Sequence, residues 1–160
     1  MKLIPLTQGK FTKIDDEDFE KINFCKWNFN CGYADGRKCV DGKAKHVKMH
    51  RVILGAMDGE YIDHINGDPL DNRKNNLRFC STKENCRNNH TARSYTGYKG
   101  SYFSIKRKKY TSYITNNYKQ IYIGIYDTAL EAAIAYDKKA IELFGEFAFT
   151  NFPKENYESR

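Results

Sequence analysis

Tyr61-Ile62-Asp63-His64-Ile65-Asn66-Gly67-Asp68-Pro69-Leu70-Asp71-Asn72-Arg73-Lys74-Asn75-Asn76-Leu77-Arg78, continued by Phe79-Cys80-Ser81-Thr82-Lys83-Glu84-Asn85-Cys86, is the stretch from which the chain is best read. Tyr61 and Ile62 favour strand, and Asn66-Gly67-Asp68-Pro69 is dense turn chemistry. Leu77 to Cys80 makes a second strand. Ser81 and Glu84 stand at capping-box spacing, which predicts a helix from Thr82. Asn85 then falls in the first turn or so of that helix, where its side chain can face back toward the hairpin.

This strand, loop, strand and helix resembles the HNH nuclease motif, the ββα-metal finger of homing endonucleases. The likeness extends over roughly residues 47–89. It is carried by Asp63-His64-Ile65-Asn66-Gly67, Leu70-Asp71-Asn72 and Asn75-Asn76-Leu77-Arg78, at the family's spacing. The resemblance implies that His64 is the general base, that Asp63 and Asn85 are metal ligands, and that Asn76 is the middle Asn of the motif. The last motif position is Asn85 rather than His, which keeps an oxygen ligand.

The residue types suit that chemistry. Phosphodiester cleavage needs a deprotonated water, a cation at the scissile phosphate and a stabilised leaving oxygen. A neutral imidazole can take the water's proton near neutral pH. Mg²⁺ (or Mn²⁺) prefers oxygen ligands and keeps several waters, so one carboxylate, one amide oxygen and the phosphate form a reasonable shell. Such an ion acts as a Lewis acid. Asn76 is expected to hold the loop by bridging backbone groups, and to orient His64. Adjacent strand residues point to opposite faces, so Asp63 and His64 share one site only if the strand is irregular there. Asp71, Asn72 and Asn75 read as turn and capping residues. Taken singly, an Asp-His pair or an Asn-Gly-Asp-Pro turn is most often ordinary surface; the combination points to a nuclease.

At 160 residues the chain holds one ordinary domain or two small ones. Its net charge of +7 and pI of about 9.1 point to a polyanionic partner. No long apolar run and no signal-peptide core are found, which predicts a soluble, intracellular protein and no membrane partner. The five cysteines, Cys25, Cys31, Cys39, Cys80 and Cys86, form no Cys-x-x-Cys pair, so no structural zinc is expected, even with Cys39, His46 and His50 imagined as ligands. Reduced thiols fit a reducing compartment.

Residues 1–46 read as an α+β lead-in that completes the core around the motif. Strands are expected at Lys2–Leu6 and Phe11–Ile14, a short helix at Asp15–Ile22, and strands around Cys31-Gly32. The acidic helix start is explained by the helix dipole. Val47–Gly55 runs from strand into a helix closed by Gly55. His50 reads as structural at the helix start, and Arg51 as a weak phosphate contact. Residues 90–97 are polar and read as a linker, in which Arg93 can touch DNA backbone.

Residues 98–153 form a second unit. Tyr98–Phe103, Lys109–Ile114 and Gln120–Tyr126 read as strands, rich in aromatic and β-branched residues. Thr128 and Glu131 open a helix whose apolar face is Ala132, Ala133, Tyr136, Ala140, Leu143 and Phe144, with Gly145 as its stop. Tyr98-Lys99-Gly100, Tyr122-Ile123-Gly124-Ile125-Tyr126, Glu131-Ala132-Ala133, Ala135-Tyr136-Asp137, Gly145-Glu146-Phe147-Ala148 and Asn151-Phe152-Pro153 resemble the AP2 DNA-binding domain. That resemblance implies a three-stranded sheet with one face in the major groove and the helix on the other.

The charge pattern agrees. Between His90 and Tyr126 stand Arg93, Lys99, Lys106, Arg107, Lys108, Lys109 and Lys119, and no acid. The groove-facing set by position is Tyr102, Ser104, Tyr113, Thr115, Gln120 and Tyr122. Plant relatives carry arginines and tryptophans at several of these places, so their target sequence does not transfer. Tyr110, Ile114 and Ile123 are assigned to the core.

The expected architecture is therefore α+β: an HNH ββα-metal nuclease unit over 1–89, a linker over 90–97, an AP2-like three-stranded antiparallel sheet packed on one helix over 98–153, and a tail over 154–160. The expected activity is site-specific, metal-dependent cleavage of double-stranded DNA of the homing type. One active site per chain implies that a monomer nicks one strand and that a dimer or sequential nicks cut both. A phage- or virus-encoded enzyme acting in its host cell fits this reading. The rivals are a non-catalytic repressor or transcription factor with a decayed HNH unit, and an RNA-binding protein that uses the basic sheet.

Overall fold

The computed structural model describes residues 1–40, 42–87 and 94–157. The chain divides into two compact units, Met1–Asn85 and Cys86–Arg160, built from small antiparallel sheets and few helices.

The first unit opens with an antiparallel hairpin, β1 (Lys2–Pro5) and β2 (Phe11–Ile14). A 3-10 turn over Asp16–Asp18 leads into α1 (Phe19–Ile22). A three-stranded sheet follows: β3 (Asn28–Asn30), β4 (Tyr33–Val40) and β5 (Lys43–Lys48). The β4–β5 pairing extends well before Val47, where the sequence places only lead-in. Residues Arg37 to Cys39 and Lys43 to His46 are exposed, so no alternating pattern marks that end of the hairpin. Gly36 sits where a Cβ would lie 2.8 Å from Cys25 Sγ and 2.9 Å from the Trp27 ring.

Helix α2 (Met49–Leu54) ends at Gly55 in the left-handed region, φ 66°. It puts Met49 and Ile53, four residues apart, into a core with Leu6, Ile14, Ile22, Trp27, Ala34 and Leu77. The antiparallel pair β6 (Tyr61–His64) and β7 (Leu77–Cys80) and helix α3 (Thr82–Arg87) come next. The capping box at the start of α3 is present: Ser81 N donates to Glu84 Oε2 at 2.7 Å, and Glu84 N to Ser81 Oγ at 3.2 Å.

In the second unit, β8 (Ser101–Ser104), β9 (Lys109–Asn116) and β10 (Lys119–Tyr126) form an antiparallel sheet with β9 central. Tyr98–Gly100, expected as strand, is turn instead. Gly100 has φ +78°, and a Cβ there would lie 1.9 Å from the Tyr136 ring. A bulge at Ile123 turns that side chain to the same face as Ile114 and Ile121. Helix α4 (Ala129–Phe144) starts with a complete Thr128–Glu131 capping box. Ala132, Ala133 and Ala140 are fully buried, which lets the helix backbone come close to the sheet.

Asp137 supplies the polar clasp. Its buried carboxylate accepts from Asn151 N, Asn151 Nδ2, Phe152 N and the Tyr157 hydroxyl at 2.8–3.0 Å. Asn151 in turn bonds Lys99 through both N–H and C=O. Residues as far as Tyr157 thus belong to this unit, and the expected tail from 154 is docked in its first part.

Candidate active site

The loop between β6 and β7 is held by polar contacts. Asn66 Oδ1 accepts from Asp68 N at 2.8 Å and from Asn76 Nδ2 at 3.0 Å, and Asn66 N donates to Asn76 Oδ1 at 3.0 Å. Asn76 Nδ2 also donates to Asp71 O at 2.8 Å. Asn76 is buried, and these bonds use its whole amide within the loop. Asp71, 1% exposed, takes a bidentate pair from Arg73 at 2.6 and 2.7 Å, which holds its carboxyl below the usual carboxylate range.

The lead-in grips the same loop. Lys13 N donates to Leu70 O and Asn72 N to Lys13 O, both at 2.8 Å, in a parallel bridge between β2 and the loop. Asp15 Oδ2 accepts from Lys74 N at 2.9 Å, and the Lys74 ammonium meets Glu17 and Asp18. The acidic cluster read as helix-dipole residues is therefore a clamp on the loop, and neither Asp15 nor Asp18 makes a side-chain cap.

His64 closes β6 and is 7% exposed. Its Nε2 lies 3.1 Å from Asn72 Oδ1. The His50 ring meets it edge-on at 5.1 Å between centroids, and Tyr33 lies 5.5 Å from His50 and 6.2 Å from His64. Burial lowers the His64 pKa against the opposing pull of Asn72, Asp63, Asp68 and Asp71. Burial pushes His50 down to about 3. Both imidazoles are neutral at neutral pH, which is the form a base needs. The partner that orients His64 is Asn72, not Asn76 as the sequence suggested.

Asp63, 5% exposed, faces Arg78 directly across the pair and accepts from its Nε and Nη2 at 2.9 and 2.6 Å. The β6–β7 register runs without a bulge. Asp63 and His64 therefore take opposite faces and different partners, and the strand irregularity that a shared face would need is not found. Asn85 is exposed near the C-terminal end of the six-residue α3. Cys80, pushed up to about 11 chiefly by burial, also feels the carboxylates of Asp63 and Glu84. Oxygen donors such as Asp63 and Asn85 fit a hard divalent cation that keeps most of its shell as water and phosphate oxygen. Among the described residues, no cluster of three or more His, Cys, Asp or Glu side chains is placed to hold a metal. His46 bonds Asp35 at 2.8 Å and His50 meets the His64 ring edge-on, so the two have different partners.

The residues assigned to DNA divide. Tyr102, Ser104, Tyr113, Thr115, Gln120 and Tyr122 share the sheet face away from the Ile114 core by register. The Tyr113 ring lies 6.3 Å from Tyr102 and 5.4 Å from Tyr122. Lys106, Arg107 and Lys108 are exposed in the β8–β9 turn, and Lys119 is exposed at the start of β10. Lys109 is also exposed but pairs with Asp127 at 2.7 Å, just beyond the acid-free window.

Two of these cations have partners within the chain. Lys99 is half-buried, with Nζ 3.5 Å from Arg87 O and 4.8 Å from the Phe149 ring centroid, and burial lowers its pKa to about 8. It is a packing residue rather than part of an exposed stripe. Arg51 is half-buried and donates to Glu60 O and Met57 O, both at 2.6 Å, so its guanidinium ties the turn after α2. Arg93 lies outside the described residues, as do 88–92 of the region between the expected units.

The sequence marks Asn72 and Arg78 only as parts of the motif and gives Thr12 and Tyr33 no site role. The Arg78 partnership could have been found by counting pairs back from the hairpin loop. Thr12 and Tyr33 carry no local signal.

Comparison with known proteins agrees with the hairpin. The family model described as HNH endonuclease matches residues 43–87. The chain is 35% identical over 106 residues to Protein 3.8 of Escherichia phage T7, covering 65% of this chain and 87% of that protein. It is 33% identical over 151 residues to an uncharacterised HNH endonuclease of Acanthamoeba polyphaga mimivirus, covering 90% of this chain and 76% of that one. A shorter likeness, 41% over 61 residues, links it to APETALA2-like protein 2 of rice, over 38% of this chain and 14% of that protein. Among the described residues no helix is long and apolar enough to cross a membrane. A buried neutral histidine beside a carboxylate on a two-stranded hairpin, within a segment that the family model matches and a chain that covers most of two viral relatives, makes this protein a member of the HNH endonuclease family and a DNA endonuclease.

Proposed function

We propose that the chain is a site-specific, metal-dependent endonuclease of the homing type, encoded by a phage or virus and acting as a soluble enzyme in the host cell. It hydrolyses one phosphodiester of duplex DNA per active site, as a monomer. HNH nucleases generally use a divalent metal ion, and the oxygen donors Asp63 and Asn85 are the ligands assigned here. A bound Mg²⁺ or Mn²⁺ would supply Lewis-acid stabilisation of the phosphate and the leaving oxygen. His64 takes the proton of the attacking water. Asn76 holds the loop that carries His64's partner and touches no reacting atom.

The observation that carries the reading is the buried neutral His64, oriented by Asn72 one residue after Asp63.

The second unit serves as an AP2-like reader of duplex DNA. Its support is the acid-free run from His90 to Tyr126, the tyrosine face opposite the helix-side core, and the 61-residue likeness to a plant APETALA2-like protein. The exposed Lys106, Arg107, Lys108 and Lys119 contact phosphates, and the tyrosine face contacts base edges.

The test is a time course on supercoiled plasmid carrying the selected target, with Mg²⁺ and with EDTA. Nicked circles that form before linear DNA, only with the metal, support the reading. Linear product at first turnover contradicts the one-strand step. Cleavage in EDTA contradicts metal dependence.

A further inference from the structure

A neutral histidine serves as base through one ring nitrogen only, the one that carries no proton. We propose that Thr12 of the lead-in hairpin, acting through Asn72, fixes His64 in the tautomer protonated on Nε2, so that Nδ1 is the atom that accepts the water's proton. This rests on the reading of His64 as the base.

The direction of each hydrogen bond follows from its neighbours. Leu70 O is a carbonyl and only accepts. Thr12 Oγ1 lies 2.8 Å from it, a distance at which two oxygens need a proton between them, so the Thr12 hydroxyl donates. A competing acceptor, Met49 Sδ at 4.0 Å, is far weaker. With its proton spent, Thr12 Oγ1 can only accept at its 2.7 Å contact with Asn72, which must present its NH₂. The amide is then turned so that Oδ1 faces His64 at 3.1 Å. An amide oxygen only accepts, so His64 Nε2 carries the hydrogen and the lone pair is on Nδ1.

Burial enforces the chain. Thr12 and Asn72 are both 0% exposed, which leaves no solvent to substitute for either partner. The bridge of Lys13 to Leu70 O and of Asn72 N to Lys13 O holds the participants in place from the backbone. In the reaction, Nδ1 takes a proton from water as the water oxygen bonds to phosphorus and the bond to the leaving oxygen breaks. Thr12 and Asn72 are positioning residues; neither touches the reacting atoms.

The test uses the full chain with ¹⁵N-labelled histidine. Four histidines are present, and His64→Gln identifies the His64 signals. At neutral pH the wild type is expected to show a protonated Nε2 and an unprotonated Nδ1 on His64. Thr12→Ser, which keeps the hydroxyl, retains that signature and the cleavage rate. Thr12→Val and Asn72→Ala shift His64 to a mixture of tautomers and lower kcat by roughly 10- to 100-fold, the usual cost of losing a partner that orients a working histidine. DNA affinity and KM stay unchanged. A wild-type His64 protonated on Nδ1 overturns the proposal, as does an unaltered tautomer in both variants. The wild-type spectrum decides the case even if a variant fails to fold. Wild type with the expected tautomer but no cleavage of a bound target would break the nuclease reading instead.

Discussion

The two units are held together differently. The hairpin loop of the first is fixed by buried polar groups, with Thr12, Asp18, Asp71, Asn72 and Asn76 all inside. Asn76 and Asp71 find partners within the loop, whereas Thr12 meets Leu70 and Asn72, and Asp15 and Asp18 meet Lys74, across about 60 positions of the chain. The second unit has an apolar core of Ile114, Tyr136, Ala140 and Ala148 and one polar clasp at Asp137. Apolar contact is non-directional and tolerates small shifts, whereas hydrogen bonds fix atoms in one arrangement. A loop that must aim one imidazole needs the second kind. A sheet that presents a face needs only to stay folded.

The largest break in this contrast is expected at Asp137. Asp137→Ala removes a buried acceptor shared by four half-buried donors and should destabilise the second unit by about 3–5 kcal/mol. Thermal unfolding of the full chain should then show an early transition, with the fold of the first unit intact. A single unchanged transition would mean that the clasp is redundant.

Asn76→Ala comes next. It removes three bonds inside the loop and should cost about 2–4 kcal/mol by the unsatisfied groups it leaves at Asn66 and Asp71. Cleavage should fall while DNA affinity, measured separately, is kept. Loss of DNA binding by this variant would contradict the division of labour.

His50 gives an effect of about 1 kcal/mol per pH unit. Its native pKa is about 3, against an ordinary 6.5. Between these values the unfolded chain binds a proton that the native chain does not. Stability is therefore full above pH 6.5 and is lost as pH falls toward 3. His50→Phe keeps a ring against Tyr33 and His64 and should flatten the acid limb in denaturant titrations. An unchanged slope would show that His50 is not kept neutral by its packing.

The smallest stability effects separate Arg51 from the surface cations. Arg51→Ala should cost about 1–2 kcal/mol through its two carbonyl bonds and leave the salt dependence of DNA binding unchanged. Replacing Lys106, Arg107 and Lys108 by Ala should leave stability unchanged and reduce the slope of log K against log salt by about 0.9 for each phosphate no longer neutralised. The reverse result would restore Arg51 as a phosphate-binding residue.

Local features were legible in the sequence. The Ser81–Glu84 and Thr128–Glu131 capping boxes, the Gly55 and Gly145 stops and the three strands of the second unit all rest on neighbours within a few residues. Asn76 bridges the loop as its place in the motif suggests, whereas its partner Asn66 is marked by the sequence only as a turn residue. The partner of His64 was not legible, because Asn72 looks like any turn residue until Thr12 is brought beside it from 60 positions away. The same long-range pairing hid the role of Asp15, Glu17 and Asp18 against Lys74. Arg51 and Lys99 were read as surface cations because composition does not show which charged heads are taken up by backbone carbonyls. The exposed end of the β4–β5 hairpin had no apolar period to mark it.

The central claim is that a buried, neutral His64 is the base of a DNA-cleaving site. Its most direct test compares wild type with His64→Ala in single-turnover cleavage of a target that both bind equally, with Mg²⁺ present. The expected result is a rate lower by roughly 10²- to 10⁴-fold, the range for removing a general base, with DNA affinity unchanged. Cleavage by His64→Ala at the wild-type rate would place the base elsewhere and contradict the account.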